Sequence, residues 1–145
     1  MLDEEGRQVA PGVPGEIHVA GSGVSAGYLN RPELTAERFV PGSSVGLPEE
    51  VLYRSGDRGR LLPDGKRVLF LGRVGTGALR VYVQNLDGGG PRAISSEGMT
   101  LGALAVSPDG RSFAAIGPDS KIAVYPVGGG APRPLPGAEA LDLPR

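Results

Sequence analysis

The chain has 145 residues, 39% of them hydrophobic and 21% charged, with a formal net charge of −1. That length suits one domain and is short for two. The near-zero charge gives no electrostatic basis for binding nucleic acid or an anionic membrane, and the absence of cysteine excludes disulfides, thiolate metal sites and a cysteine nucleophile. His18 is the sole histidine. Set between Ile17 and Val19 it reads as an ordinary strand residue, and no second histidine exists for a His-based zinc site or a Ser-His-Asp triad. No apolar run approaches the ~20 residues of a membrane-spanning helix. The acidic start, MLDEEGRQVAPG, lacks the apolar stretch of a signal peptide, so the expected compartment is the cytoplasm. The 25 glycines and 14 prolines fall between apolar runs, which marks them as turns rather than a disordered tract.

In chain order, residues 2–14 form a polar, turn-rich lead-in and residues 16–20 a short strand. Residues 21–27, GSGVSAG, form a glycine-rich bend. The segment RPELTAERF, residues 31–39, predicts a helix: Pro32 suits its first turn, Glu33 its positive end, and Leu34 and Phe39 supply apolar contacts. Its shortness means that packing must hold it. Residues 41–50 read as a loop and 51–54 as a strand. Beyond residue 73 only strands and turns are expected: a loop at 74–78, an alternating strand at 79–86, a turn at 87–90, and strands at 101–106, 112–116 and 121–127. A turn-rich tail follows at 128–136, and 138–145 gives no clear pattern.

The run YRSGDRGRLLPDGKRVLFLGR, from Tyr53 to Arg73, is the centre of the sequence. Pro63-Asp64-Gly65 between two apolar segments predicts a β-hairpin. If residues 62 and 67 pair across the turn, then 57 and 72 pair at its open end. Asp57 and Arg73 become near neighbours there, an acid and a base beside one small polar ligand.

The second half repeats. LPDGKRVLFLG returns as SPDGRSFAAIG, and VYVQNLDGGGPRAIS as AVYPVGGGAPRPLP. The Pro-Asp-Gly triplets stand 45 residues apart, Tyr82 and Tyr125 43 apart, and the Pro-Arg pairs 41 apart. A period near 40–45 with about four strands per repeat is the pattern of β-propeller blades.

GSGVSAG is not a dinucleotide fingerprint, since its spacing is G-x-G-x-x-x-G and the helix begins only near Pro32. The wider segment is far more specific. GEIHVAGSGVSAGYLNRPELTAERFVP, followed by YRSGDRGRLLPDG and FLGR, resembles the adenylation domains of nonribosomal peptide synthetases and the wider AMP-forming ligase superfamily over about residues 1–73. The resemblance implies ATP-dependent activation of an amino or carboxylic acid as acyl-AMP, with ATP or AMP as the bound nucleotide. It assigns Asp57 to the ribose hydroxyls, which suits a carboxylate able to accept two hydrogen bonds. It places Arg73 beside the ribose and next to the hinge between lobes. The glycines at 15, 21, 23 and 27 would be conformational.

After Arg73 the resemblance stops. Gly75 stands where the family has its hinge Asp, and the phosphate loop, substrate pocket and adenylating lysine have no counterpart; the only lysines are Lys66 and Lys121. From Leu62 onward the chain resembles TolB-like and related WD-like propellers, which are mostly interaction or sensing modules. Some 83 residues would make about two blades, whose open edges could pair with a protein partner or a second copy.

The expected fold is therefore mainly β with one short helix: a partial adenylation-domain β subdomain at residues 1–62, then two propeller-like repeats at 63–106 and 107–145. The expected function is that of a fragment of an adenylate-forming ligase, a chimera inactive in isolation, with Asp57 and Arg73 as nucleotide contacts, no catalytic residue and no metal site. The alternative is a non-enzymatic β-propeller-type interaction module.

Overall fold

The turn at Pro63-Asp64-Gly65 is built as its residue types dictate. Gly65 takes φ +67°, a left-handed value that costs glycine little. The Asp64 carboxylate accepts the backbone amides of Lys66 (2.9 Å) and Arg67 (3.2 Å) and pairs with Arg67 Nε at 2.6 Å. This closure sets the hairpin register, with Leu61 opposite Val68, Arg60 opposite Leu69 and Gly59 opposite Phe70. The second Pro-Asp-Gly turn repeats the device: Gly110 sits at φ +66°, and Asp109 accepts the Arg111 amide (3.0 Å) and the Ser107 hydroxyl (2.6 Å).

The computed structural model describes residues 1–48, 50–100, 104–135, 137 and 138. Its elements are β1 (Pro14–Val19), α1 (Pro32–Arg38), β2 (Phe39–Pro41), a 3-10 turn (Gly42–Val45), β3 (Val51–Leu61), β4 (Arg67–Gly72), β5 (Arg80–Asn85), β6 (Arg92–Ala93), β7 (Ala105–Val106), β8 (Ser112–Ile116), β9 (Ile122–Pro126) and β10 (Arg133–Pro134). All the strand pairs are antiparallel. The first sheet runs β1-β3-β4-β5-β6, with β2 also on β3, and the second runs β10-β9-β8-β7. The chain is thus mainly β with one short helix, as the sequence predicts. No helix is long and apolar enough to cross a membrane among the described residues.

The repeat is visible as structure. β3–β6 and β7–β10 are both four-stranded antiparallel meanders. The two sheets share one apolar core, in which Leu62, Leu69, Val81, Val83 and Ile94 pack with Met99, Leu104, Phe113, Ala115, Tyr125 and Val127. Their turns also touch, because a Cβ on Gly110 would lie 3.0 Å from Pro63 Cδ. The repeat is inexact at its tyrosines. Tyr82 pairs with Phe70, and Tyr125 with Phe113. Phe70 lies six residues beyond Asp64 but Phe113 only four beyond Asp109, so the matched tyrosines occupy different rungs of their ladders.

Several elements differ from the sequence expectation. The strand expected at 51–54 continues through the hairpin arm as one eleven-residue strand, β3, because a bulge carries the chain through Ser55-Gly56-Asp57. β2 was hidden in a Pro- and Gly-bearing stretch, and it exists because Phe39, Val40 and Pro41 pair with Tyr53, Leu52 and Val51. β10 is a two-residue strand inside the tail that reads as turn-rich, and β6 is one just beyond the turn expected at 87–90, where the sequence predicts no element. The strand expected at 101–106 is described only as β7, since 101–103 lie outside the described residues, as do 139–145. The expected boundary at 62/63 falls within the hairpin, where β3 on one side is hydrogen-bonded to β4 on the other.

Candidate functional site: the β3 bulge and its cleft

The segment YRSGD leaves regular strand geometry. β1 and β3 pair with Glu16 opposite Arg58 and then His18 opposite Arg54, so β3 carries two extra residues across that step. Gly56 at φ +81° makes the detour possible; a Cβ there would meet Arg38 Nη1 at 2.9 Å. Polar contacts then lock it. The Gly56 amide donates to Glu16 Oε1 (3.1 Å) while Arg54 Nη2 pairs with Glu16 Oε2 (3.0 Å). Ser55 Oγ donates to the Ile17 carbonyl (2.8 Å) and accepts the Asp57 amide (3.0 Å). Burial acts to raise the Glu16 pKa, but the Arg54 guanidinium and the Gly56 amide outweigh it and leave the carboxyl below its usual range. Glu16 thus fixes the backbone from which Asp57 projects.

On the other side of the bulge, α1 contributes little burial of its own. It is tied down by Thr35, whose hydroxyl donates to Arg31 O (2.9 Å) and accepts the Tyr28 amide (2.9 Å). Gly27, at φ +140°, passes so close to Thr35 that any side chain would collide with it. Phe39 then packs edge-on against Tyr28 (5.5 Å) and beside Tyr53 (5.2 Å), and the two tyrosine hydroxyls lie 3.1 Å apart. These contacts anchor the start of β3.

Asp57 and Arg73, the two residues predicted from the sequence, line one open cleft of about 910 Å³ between the β3 bulge and the end of β4. Both are exposed. The hairpin register accounts for their common location. It does not bring them into contact: among the described residues no ion pair joins them, because regular β3–β4 pairing ends at Gly59 and Phe70, short of the bulge. Arg58 and Arg60 also line the cleft, and sequence reasoning missed both. The only signal for them was their position within three residues of Asp57. Arg60 is half-buried, donates to the Gly12 carbonyl, and has its pKa lowered by burial. Arg58 pairs loosely with Glu4 at 3.8 Å, both side chains being mostly exposed. His18 is on β1 with Nδ1 3.2 Å from the Glu16 carbonyl, in keeping with a strand role. Lys121 lies outside this cleft, in the turn between β8 and β9.

No family profile matches the chain. Curated relatives do. Over 74 residues the chain is 51% identical to bacitracin synthase 1 of Bacillus licheniformis and 53% identical to chondramide synthase cmdD of Chondromyces crocatus. Each match covers 51% of this chain but only 1% and 2% of those proteins. A linear gramicidin synthase polypeptide of Brevibacillus parabrevis matches at 38% identity over 135 residues, which is 92% of this chain and 2% of that protein. A match of that length necessarily runs past residue 73 into the repeated sheets. The chain therefore spans a fiftieth or less of the curated relatives it matches. Half of it is similar, at about 50% identity, to nonribosomal peptide synthetases.

Proposed function

We propose that residues 1–73 are a segment of an adenylate-forming ligase of the nonribosomal peptide synthetase type, in which Asp57 and Arg73 contact the ribose of ATP or AMP. The observation that carries this reading is their shared cleft, large enough for a nucleotide, with Asp57 exposed along its lining. A carboxylate can accept both ribose hydroxyls, and a guanidinium beside it can donate to the ring or hydroxyl oxygens. In the parent reaction a substrate carboxylate attacks the α-phosphorus of ATP, the bond to the β-phosphate oxygen breaks, and pyrophosphate departs. The resemblance assigns stabilisation of that charge to a lysine. Here Lys66 is in the hairpin turn and Lys121 in the β8–β9 turn, and neither lines the cleft. The 145-residue chain by itself thus binds nucleotide without turning it over. Calorimetry tests the assignment: AMP binding in the millimolar range or tighter, lost in Asp57→Asn, supports it, and binding indifferent to that substitution defeats it. Pyrophosphate exchange above background by the wild-type chain would defeat the claim of inactivity.

A second reading, a non-enzymatic propeller-type interaction module, is favoured by one observation. The two repeated sheets end in the two-residue strands β6 and β10, whose outer edges are short and, among the described residues, pair with no further strand. Sedimentation over a wide concentration range decides it: concentration-dependent association supports the module, and a clean monomer with strongly protected edge amides argues against it.

A further inference from the structure

The two repeated sheets meet by unlike faces. Counted from the Pro-Asp-Gly turns, Leu69 and Leu71 of β4 correspond to Ala114 and Ile116 of β8, and Val68 and Phe70 to Phe113 and Ala115. The ladders carry the correspondence to the next strands: Leu71 pairs with Val81 as Ile116 does with Ile122, and Leu69 with Val83 as Ala114 does with Val124. Strand alternation puts each such set of four on one face of its sheet. In the first sheet that face, Leu69, Leu71, Val81 and Val83, packs against the opposite face of the second, Phe113, Ala115, Ala123 and Tyr125. The equivalent face of the second sheet is Ala114, Ile116, Ile122 and Val124. It is equally apolar, yet none of the four belongs to that core. Ile116 is buried, but the other three are half-buried, and Leu135, whose amide faces the Ile122 carbonyl, is 37% exposed. At the other end of the stack the first sheet presents Val68, Phe70, Tyr82 and Gln84, none of them charged. Val68 is buried and the rest half-buried, with Phe70 and Tyr82 stacked at 5.8 Å.

We propose that these two end faces bind each other between copies of the chain, head to tail, repeating the contact made within it. The occupant is a second copy because one chain carries both halves of the contact. Their volumes also compensate. Within the chain Leu, Leu, Val and Val meet Phe, Ala, Ala and Tyr. Between copies Ala, Ile, Ile and Val meet Val, Phe, Tyr and Gln, so a smaller face receives a larger one. Such a contact uses different surfaces on its two partners and therefore runs on to further copies until a ring closes or a fibre grows. A face of short strands is small beside the about 800 Å² per partner of a standard complex, so association is expected at high micromolar concentrations. This contact deepens the module reading, since it lies on sheet faces rather than strand edges, and it is independent of the ribose reading.

Sedimentation of the full chain, wild type and with Val124→Lys or Tyr82→Lys, tests the contact. The wild type is expected to associate with rising concentration and each variant alone to stay monomeric. An equimolar mixture of the two variants restores one intact contact, from the second sheet of one to the first sheet of the other, and is expected to give dimers that grow no further. If a lysine unfolds the chain, milder variants decide. The sequence has no cysteine, so Val124→Cys mixed with Tyr82→Cys is expected to join through a short thiol-reactive cross-linker in higher yield than either variant alone, and equal yields overturn the proposal. Association that survives both lysines overturns it and leaves the module reading standing, with the edges as the contact. Loss in only one variant shows like faces meeting and overturns the head-to-tail arrangement. A wild-type monomer at every concentration overturns both.

Discussion

The region before Leu62 and the region from Leu62 onward are held by different forces. Among the described residues fifteen apolar side chains are buried, and only Leu2 and Leu52 of these precede residue 62. The later region holds most of two sheets that share a continuous apolar core. The earlier one is stitched by polar contacts: Glu16 to Arg54 and Gly56, Ser55 to Ile17, Thr35 to Arg31 and Tyr28. Burial is non-directional and tolerates repetition, which suits a repeated sheet. Hydrogen bonds are directional, and the region that relies on them is the one that holds the bulge lining the cleft.

The difference can be broken from either side. Phe113, 1% exposed at the centre of the core, is the severest target. Phe113→Ala is expected to cost about 3–5 kcal/mol in urea denaturation, enough to unfold a marginal domain. A loss below ~1 kcal/mol would mean that the shared core is not the main source of stability. The paired turns give a finer comparison. Gly65→Ala places a methyl group in open space, so it carries only the strain of a left-handed alanine, about 1–2 kcal/mol. Gly110→Ala carries the same strain and also presses on Pro63, and is expected to cost more. Equal losses would show that the two turns do not abut in solution.

In the polar region the effects are smaller and fall on the site. Glu16→Gln removes the charge facing Arg54 and weakens the acceptor for the Gly56 amide. A loss of about 1 kcal/mol or less is expected, since the pair lies partly in water. AMP affinity should fall with it as the bulge loosens, and an unchanged affinity would separate Glu16 from the site. Acid should act on the same contacts. Asp3, held low chiefly by the Arg7 amide, Asp64 by the Lys66 amide and Asp109 by the Ser107 hydroxyl join Glu16 in having depressed pKa values. Their unfolded-state values, near 4, are higher, so the unfolded chain binds more protons in acid. The stabilisation is complete above pH ~4 and is lost as pH falls through the folded-state values. The thermal midpoint is expected to decline from about pH 4 downward and to decline less in Asp64→Asn.

What the sequence disclosed follows the same division. The hairpin was legible because Pro-Asp-Gly specifies a turn locally and the apolar runs around it fix the register by counting. That counting also located Asp57 and Arg73 on one cleft. The helix was legible from Pro32 and Glu33. β2, β6 and β10 were not, because two or three residues carry no periodicity and owe their strand geometry to partners far away in sequence. The bulge was hidden because Ser55-Gly56-Asp57 breaks the alternation that marks a strand, while Glu16, forty residues earlier, holds its geometry. Arg58 and Arg60 could not be told from the other arginines, since nothing local says which of them face the cleft.

The bulge has a consequence for what this strand can tolerate. Its excess over β1 is two residues, an even number, so β3 leaves the detour in the same phase in which it entered. Glu16 and His18 on β1 still meet residues of one parity on β3, Arg58 and Arg54. Removing both extra residues would keep Leu52 and Tyr53 on their present faces. Removing or adding one would exchange them, turning Leu52 outward and Tyr53 away from Phe39 and Tyr28. In this stretch, length variation is admissible in steps of two and disruptive in steps of one.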